Sequence, residues 1–294
     1  MKKNMKKIMI LISLCALFVL TSCNITLTKH EVKITGDVIT KEYKDIKGTI
    51  LKIKDVYLKN DNSIKTTLNI IPSEKELITI TAQERLFDYV NVTSDNDKIE
   101  IIGGKTEKYA TNEVTINVYG YNLESYFLYY INAIINVEED IETLTIDMHD
   151  ASNVAILGNG KINSLDATLS GASTIEGNNA KMENFKLVLS EASNGVFKDV
   201  EGETMNVTLL GASRLEVTGK AERLSANLSG ASKLMDHLFI INEAKVDASG
   251  ASYLEITVNN KLSVELSGSS NMYYSGNPTI ENKKLSGGSK LTRN

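Results

Sequence analysis

Apolar and polar residues alternate in short bursts through the second half of the chain, and the bursts recur at a fixed distance from a serine. Counting back from that serine, the eighth residue is Leu144, Leu165, Phe185, Met205, Leu224, Ala244 and Leu262. The sixth is Ile146, Ala167, Leu187, Val207, Ala226, Val246 and Val264, and the fourth is Met148, Leu169, Leu189, Leu209, Leu228, Ala248 and Leu266. The positions between them are mostly Thr, Asp, Asn, Lys, Ser or Glu. A period of two over about six residues predicts a half-buried strand. Two residues after the serine stands a second apolar position, filled by Val154, Ile175, Leu215, Leu234, Leu254, Met272 and Leu291, which predicts a second, shorter strand. The third repeat breaks the pattern with Gly195 there and Val196 one later. Gly158, Gly177, Gly202 and Gly219 fall between strands, where bends are expected.

The serine closes a recurring tetrapeptide. It reads Asp150-Ala151-Ser152 after His149, then Ser170-Gly171-Ala172-Ser173, Ser190-Glu191-Ala192-Ser193 and Leu210-Gly211-Ala212-Ser213. It continues as Ser229-Gly230-Ala231-Ser232, Ser249-Gly250-Ala251-Ser252, Ser267-Gly268-Ser269-Ser270 and Ser286-Gly287-Gly288-Ser289. Successive final serines are 21, 20, 20, 19, 20, 18 and 19 residues apart, the mark of a structural repeat. A unit of about twenty residues with two or three strands and no helical periodicity builds one coil of a parallel β-solenoid, with equivalent residues in columns about 4.8 Å apart. Ordering one coil costs more than its few apolar side chains return, so only a stack of coils folds. In that picture Ala fills an inward corner, Gly permits the turn, and the two Ser columns donate to a neighbouring Ser or a turn carbonyl. A leucine-rich repeat has a similar period, but its fixed Asn or Cys column and helical return are missing here.

The first half lacks the tetrapeptide and reads as strands at Thr49–Ile53, Lys65–Ile71, Glu76–Thr81, Val90–Thr93, Lys98–Ile102 and Glu113–Val118, with a possible helical turn over Gln83–Tyr89. Leu123, Phe127, Ile131 and Ile134 suggest a degenerate first coil. This region is expected to cap the solenoid, whose end would otherwise be an open edge. The domain reading is a leader at 1–22, a linker and first strand at 23–45, a β-rich cap at 46–130 and coils over 131–294.

The leader changes the compartment. Lys2, Lys3, Lys6 and Lys7 precede an apolar run from Ile8 to Leu20, too short to span a bilayer as a helix. The run ends Leu20-Thr21-Ser22-Cys23, which resembles the lipobox of bacterial lipoproteins. That resemblance implies cleavage before Cys23 and acylation of Cys23, hence anchoring to a membrane. Cleavage also removes Cys15, leaving no cysteine pair and no disulfide. The formal net charge is −5, and losing a leader with four lysines and no acid makes it more negative. An acidic chain without a basic cluster carries no electrostatic footprint for nucleic acid.

Three stretches together resemble a known family. They are Glu84-Arg85-Leu86-Phe87-Asp88-Tyr89-Val90-Asn91-Val92 before Asp97-Lys98-Ile99-Glu100-Ile101, then Val114-Thr115-Ile116-Asn117-Val118 with Leu123-Glu124-Ser125, then the Leu-Ser-Gly-Ala-Ser coils. With them the chain resembles the head GIN domain family of putative autotransporter adhesins. The resemblance implies an all-β fold, a right-handed single-stranded parallel β-helix behind a β-rich start, on an envelope protein. It implies no catalytic residue and no cofactor. In the first coil the usual tetrapeptide is lost near Asn132-Ala133, and no translocator barrel is evident.

The residues themselves give little chemistry. Of His30, His149 and His237, only His149 has an acid and a serine nearby, Asp150 and Ser152, and the three are too close in sequence to act as base, orienter and nucleophile. No histidine pair has metal spacing, and no cysteine remains for zinc. Asp95 and Asp97 read as a hairpin turn, since the later Gly and Glu of a calcium loop are missing. Tyr253, Tyr273 and Tyr274 are the aromatics best suited to stack on sugars. The expectation is a non-catalytic, lipid-anchored envelope module that adheres to a surface glycan or protein. A polysaccharide-processing enzyme, which needs a groove with two close carboxylates, is the alternative.

Overall fold

The computed structural model describes residues 31–33, 36–54, 66–95, 97–103, 108–110, 114–121, 123, 125–129, 133–149, 153–178 and 181–294. The leader, Cys23, His30 and the first tetrapeptide, Asp150-Ala151-Ser152, lie outside these residues.

The repeats fold as a parallel β-solenoid of about eight consecutive turns, some twenty residues each. Ile141–Met148 pairs in parallel with Ile162–Leu169, and that strand pairs with Lys181–Leu189. The predicted column is continuous: Leu144, Leu165, Phe185, Met205, Leu224, Ala244 and Leu262 are register partners in turn, and all are buried. The second column runs unbroken from Val154 through Ile175, Gly195, Leu215, Leu234, Leu254 and Met272 to Leu291. Gly195 is therefore a member of the column. A Cβ there would lie 2.9 Å from Leu215 Cδ1, so the small residue makes room for the large one above it. Gly177, expected in a bend, is likewise an inward strand position. A Cβ on it would lie 2.8 Å from the Phe197 ring, which packs edge-on against Phe185 at 4.9 Å. Gly202 and Gly219 also lie within long strands and Gly158 ends one, although Gly158 and Gly219 take positive φ of 106° and 113°.

The tetrapeptide corner is built the other way round from expectation. Ala172, Ala192, Ala212, Ala231 and Ala251 face solvent, and the closing serines Ser173, Ser193, Ser213, Ser232, Ser252 and Ser270 are fully buried. The reason is the backbone turn. The corner carbonyl three residues earlier points inward, and the serine hydroxyl satisfies it: Ser173 Oγ donates to Ser170 O at 2.8 Å, Ser252 Oγ to Ser249 O at 2.8 Å and Ser270 Oγ to Ser267 O at 2.8 Å. Alanine could not do this. The second position takes φ near +70° at Gly171, Gly211, Gly230, Gly250, Gly268 and Gly287, and Glu191 is forced to φ 59° in the same column. The turns at Gly211, Gly230, Gly250, Gly268 and Gly287 also stack on the backbone of the coil before them. A Cβ on Gly230 would sit 2.5 Å from Gly211 O.

The coil stack extends back past residue 131. Ile50–Lys54 pairs in parallel with both Ser125–Tyr129 and Lys98–Ile102, and Thr66–Ile71 pairs with both Ala133–Val137 and Val114–Tyr119. The layers are thus out of sequence order. The coil of residues 50–71 lies between that of 125–137 and that of 98–119. An asparagine ladder crosses them: Asn136 Nδ2 donates to Asn69 Oδ1, Asn69 Nδ2 to Asn117 Oδ1 at 2.7 Å, and Asn117 Nδ2 to Thr79 Oγ1 at 3.0 Å. Beyond the 98–119 layer the pairing turns antiparallel. Leu77–Gln83 runs against Val114–Tyr119 with Val38–Tyr43 outside it, and Asn91–Asp95 runs against Lys98–Ile102. The predicted helical turn is a 3-10 helix, Glu84–Asp88, joining the two antiparallel faces with Leu86 buried in the core. These strands and this helix close the first end of the rod.

Candidate functional site

A parallel strand buries one face and presents the other, so the outward columns of the solenoid are where chemistry can sit. Three places bring polar or aromatic residues together.

The first surrounds His149. Its Nε2 lies 2.9 Å from Asp147 Oδ1, and its Nδ1 lies 2.6 Å from Ser170 Oγ on the next coil. The acid and serine therefore come from Asp147 and Ser170. The sequence offered Asp150 and Ser152, which lie outside the described residues. The signal was available, because Ser170 stands one repeat after His149 in the same column. The array joins two coils at their corner on an open part of the rod, away from the grooves that follow. The side chain of His237 lies outside the described residues.

The second is an aromatic pair. Tyr253 and Tyr273 lie on adjacent coils with ring centroids 5.5 Å apart, and Tyr253 Oη donates to Glu255 Oε2 at 3.1 Å. Burial and the neighbouring Glu255 push the Tyr253 phenol above its ordinary pKa. Tyr274, grouped with them in the sequence, points inward and is buried.

The third is a groove of about 600 Å³ along the outward face of the later coils. Asn227, Asp247, Glu265 and Lys284 are register partners on successive coils and form one wall. Ser229, Ser249, Ser267 and Ser286, the first residues of four tetrapeptides, form the other. Two exposed leucines, Leu210 and Leu285, also line it. Leu210 stands where other coils carry Ser. Glu265 Oε1 accepts from Lys284 Nζ at 2.6 Å and from Asn282 Nδ2 at 3.1 Å. Lys284 first, then Asn282, hold the Glu265 carboxyl below the usual range. A general acid in glycoside cleavage needs the opposite shift. The two carboxylates that an enzyme would require are adjacent here, yet Glu265 is kept ionised by its own neighbours.

No group of three or more His, Cys, Asp or Glu suited to a metal occurs among the described residues. Asp95 and Asp97 bracket the turn of an antiparallel hairpin, and Asp97 O accepts from Thr49 N and Ile50 N. No helix among the described residues is long and apolar enough to cross a membrane.

Comparison with known proteins agrees with this architecture. No curated protein matches the chain in sequence. Solved structures with the same fold include a putative lipid binding protein from Parabacteroides distasonis, at 16% identity and TM-score 0.62, covering 90% of this chain and 100% of that one. A putative adhesin from Parabacteroides merdae matches at 19% identity and TM-score 0.60, covering 90% of this chain and 99% of that one. A second putative adhesin from Parabacteroides distasonis matches at 14% identity and TM-score 0.58, over 90% and 100% of the two chains. At these identities the likeness is one of fold. Residues 135–278, the consecutive coils, match the family described as "Putative auto-transporter adhesin, head GIN domain".

Proposed function

We propose that the chain is a lipid-anchored, non-catalytic module of the bacterial cell envelope that serves adhesion. The observation that carries this reading is the uniformity of the coils. Their lengths differ by at most three residues, so among the described residues the rod presents long polar strand faces and no deep cleft walled by loop insertions. Such a face suits a weak, extended contact more than the enclosed geometry that catalysis needs. The family match of residues 135–278 supports the same reading, and the lipobox-like Leu20-Thr21-Ser22-Cys23 supplies the anchor. Fold alone would be weak grounds for a function.

Two experiments test it. Cys23→Ala should move the chain from the membrane fraction to the soluble fraction and abolish incorporation of labelled palmitate. Persistence of both signals would remove the anchor from the account. Beads coated with the full chain should be retained on bacterial or host cell surfaces more than uncoated beads. Cleavage of a polysaccharide by the chain, lost on Asp247→Asn or Glu265→Gln, would instead establish the enzymatic alternative.

A further inference from the structure

From the groove on the later coils we infer a binding site for an uncharged, extended glycan, one sugar to each coil. This deepens the adhesion reading and rests on it.

The argument starts from spacing. Equivalent residues on neighbouring coils are about 4.8 Å apart, close to the length of one pyranose ring in an extended chain. A linear β-1,4 glycan advances by about one coil per sugar and turns each sugar over relative to the one before, so it can repeat the same contact at every second layer. The walls supply the chemistry that sugar hydroxyls require. A hydroxyl donates one hydrogen bond and accepts others, and vicinal hydroxyls are matched by carboxylates and amides, which offer two adjacent polar atoms. Asn227, Asp247 and Glu265 present such groups on three successive coils, with Ser229, Ser249, Ser267 and Ser286 opposite, and Lys284 on the fourth coil is a donor held by Glu265.

Leu210 is the second, independent observation. It occupies the corner column held by Ser190 before it and Ser229 after it, lines the groove and is 39% exposed. Nothing in the turn demands it, since the same corner forms with Ser in the neighbouring coils. A solvent-facing leucine beside polar walls fits the apolar face of a sugar ring. Charge narrows the ligand. Lys284 is committed to Glu265, so Asp247 and Glu265 leave the groove unfavourable to a polyanion. The fitting ligand is a neutral or N-acetylated linear glycan.

The test uses the full chain in detergent and calorimetric titration with two β-1,4-linked series, of glucose and of N-acetylglucosamine, each from one to six units, with oligogalacturonate as the acidic comparator. Affinity for at least one neutral series should rise with length to about four units and then level off, with the acidic series weaker. Asp247→Ala should weaken binding about tenfold, the loss of one hydrogen bond of ordinary strength. Leu210→Ser, which restores the residue of the neighbouring corners, should weaken it without lowering stability. Asp166→Asn, on the neighbouring outward ladder and several coils away, should leave it unchanged. Absence of binding by every neutral oligosaccharide, or binding indifferent to both groove variants, would overturn the assignment. Coated beads that still bind cells in that event would leave adhesion standing. Oligosaccharide binding without retention on any cell surface would uphold the groove and sink adhesion instead.

Discussion

Two serines in one buried column should respond to alanine with opposite signs. Ser193 Oγ donates to Ser190 O at 2.5 Å, approaches Leu169 O at 3.3 Å, and accepts from Ser190 N at 3.0 Å. Ser213, one coil on and equally buried, has no hydrogen-bond partner for its hydroxyl. Ser193→Ala removes a satisfied donor and acceptor and should destabilise by about 1–2 kcal/mol. Ser213→Ala removes a buried hydroxyl whose desolvation is uncompensated, and should stabilise by about 1 kcal/mol. The methyl left in each case fills nearly the same space, so cavity terms cancel between the two. The difference, about 2–3 kcal/mol, is large against the errors of urea unfolding followed by circular dichroism. The two sites lie in adjacent coils and therefore report on the same cooperative stretch of the stack. Equal destabilisation by the two substitutions would refute the reasoning, because it would mean that the column acts through packing and not through hydrogen bonding.

Other outcomes follow from the same geometry. Glu191→Gly should stabilise by about 1 kcal/mol, since it relieves a left-handed non-glycine residue in a column of glycines; thermal unfolding checks it. Gly230→Ala should cost at least about 1–2 kcal/mol from its φ of 76° alone, with the contact on Gly211 O adding to that. Leu209→Asp should unfold the rod as seen by far-ultraviolet circular dichroism, because it places an unpaired charge at a fully buried position. Burial raises the Glu139 carboxyl above its ordinary value. Its ionisation therefore opposes folding at neutral pH and ceases to do so as pH falls through the raised pKa. Glu139→Gln should accordingly stabilise at pH 7, with the gain shrinking in acid, in a urea series run across pH.

The consecutive coils were legible because one signal, alternation locked to a repeated corner, fixes strand, register and period together. Every buried residue of the Leu144 and Met148 columns was readable in that way. The corner itself was misread for a physical reason. Ala is apolar and Ser polar, so composition places Ala inside, but the turn directs the closing side chain inward, where at Ser173, Ser193, Ser252 and Ser270 the hydroxyl bonds the corner carbonyl. Gly177 was misread as a bend and Gly195 as a break in its column, because a glycine shows its place in a strand only once the bulky neighbour above it, Phe197 or Leu215, is known. The interleaving of the first layers was hidden because pairing between Ile50–Lys54 and Ser125–Tyr129 spans more than seventy residues and no tetrapeptide marks it. Six strands of the first half were found within two residues, while Lys108–Ala110 and Ser125–Tyr129 were not; the order of strands in the stack is not a local property. The groove was missed because it is made by residues one repeat apart, each unremarkable alone. Leu210 was its one visible sign, a leucine in a column of serines.

The interleaved stack is most directly tested by cross-linking. With Cys15 and Cys23 replaced by serine, cysteines are placed in pairs at the ladder positions Asn69, Asn117 and Asn136 and the full chain is oxidised. Asn69 adjoins both others, while Asn117 and Asn136 are two layers, about 9.6 Å, apart. The account requires disulfides in N69C/N117C and N69C/N136C and none in N117C/N136C. A disulfide between 117 and 136 with none between 69 and 136 would mean that the layers follow the order of the chain, and would contradict it.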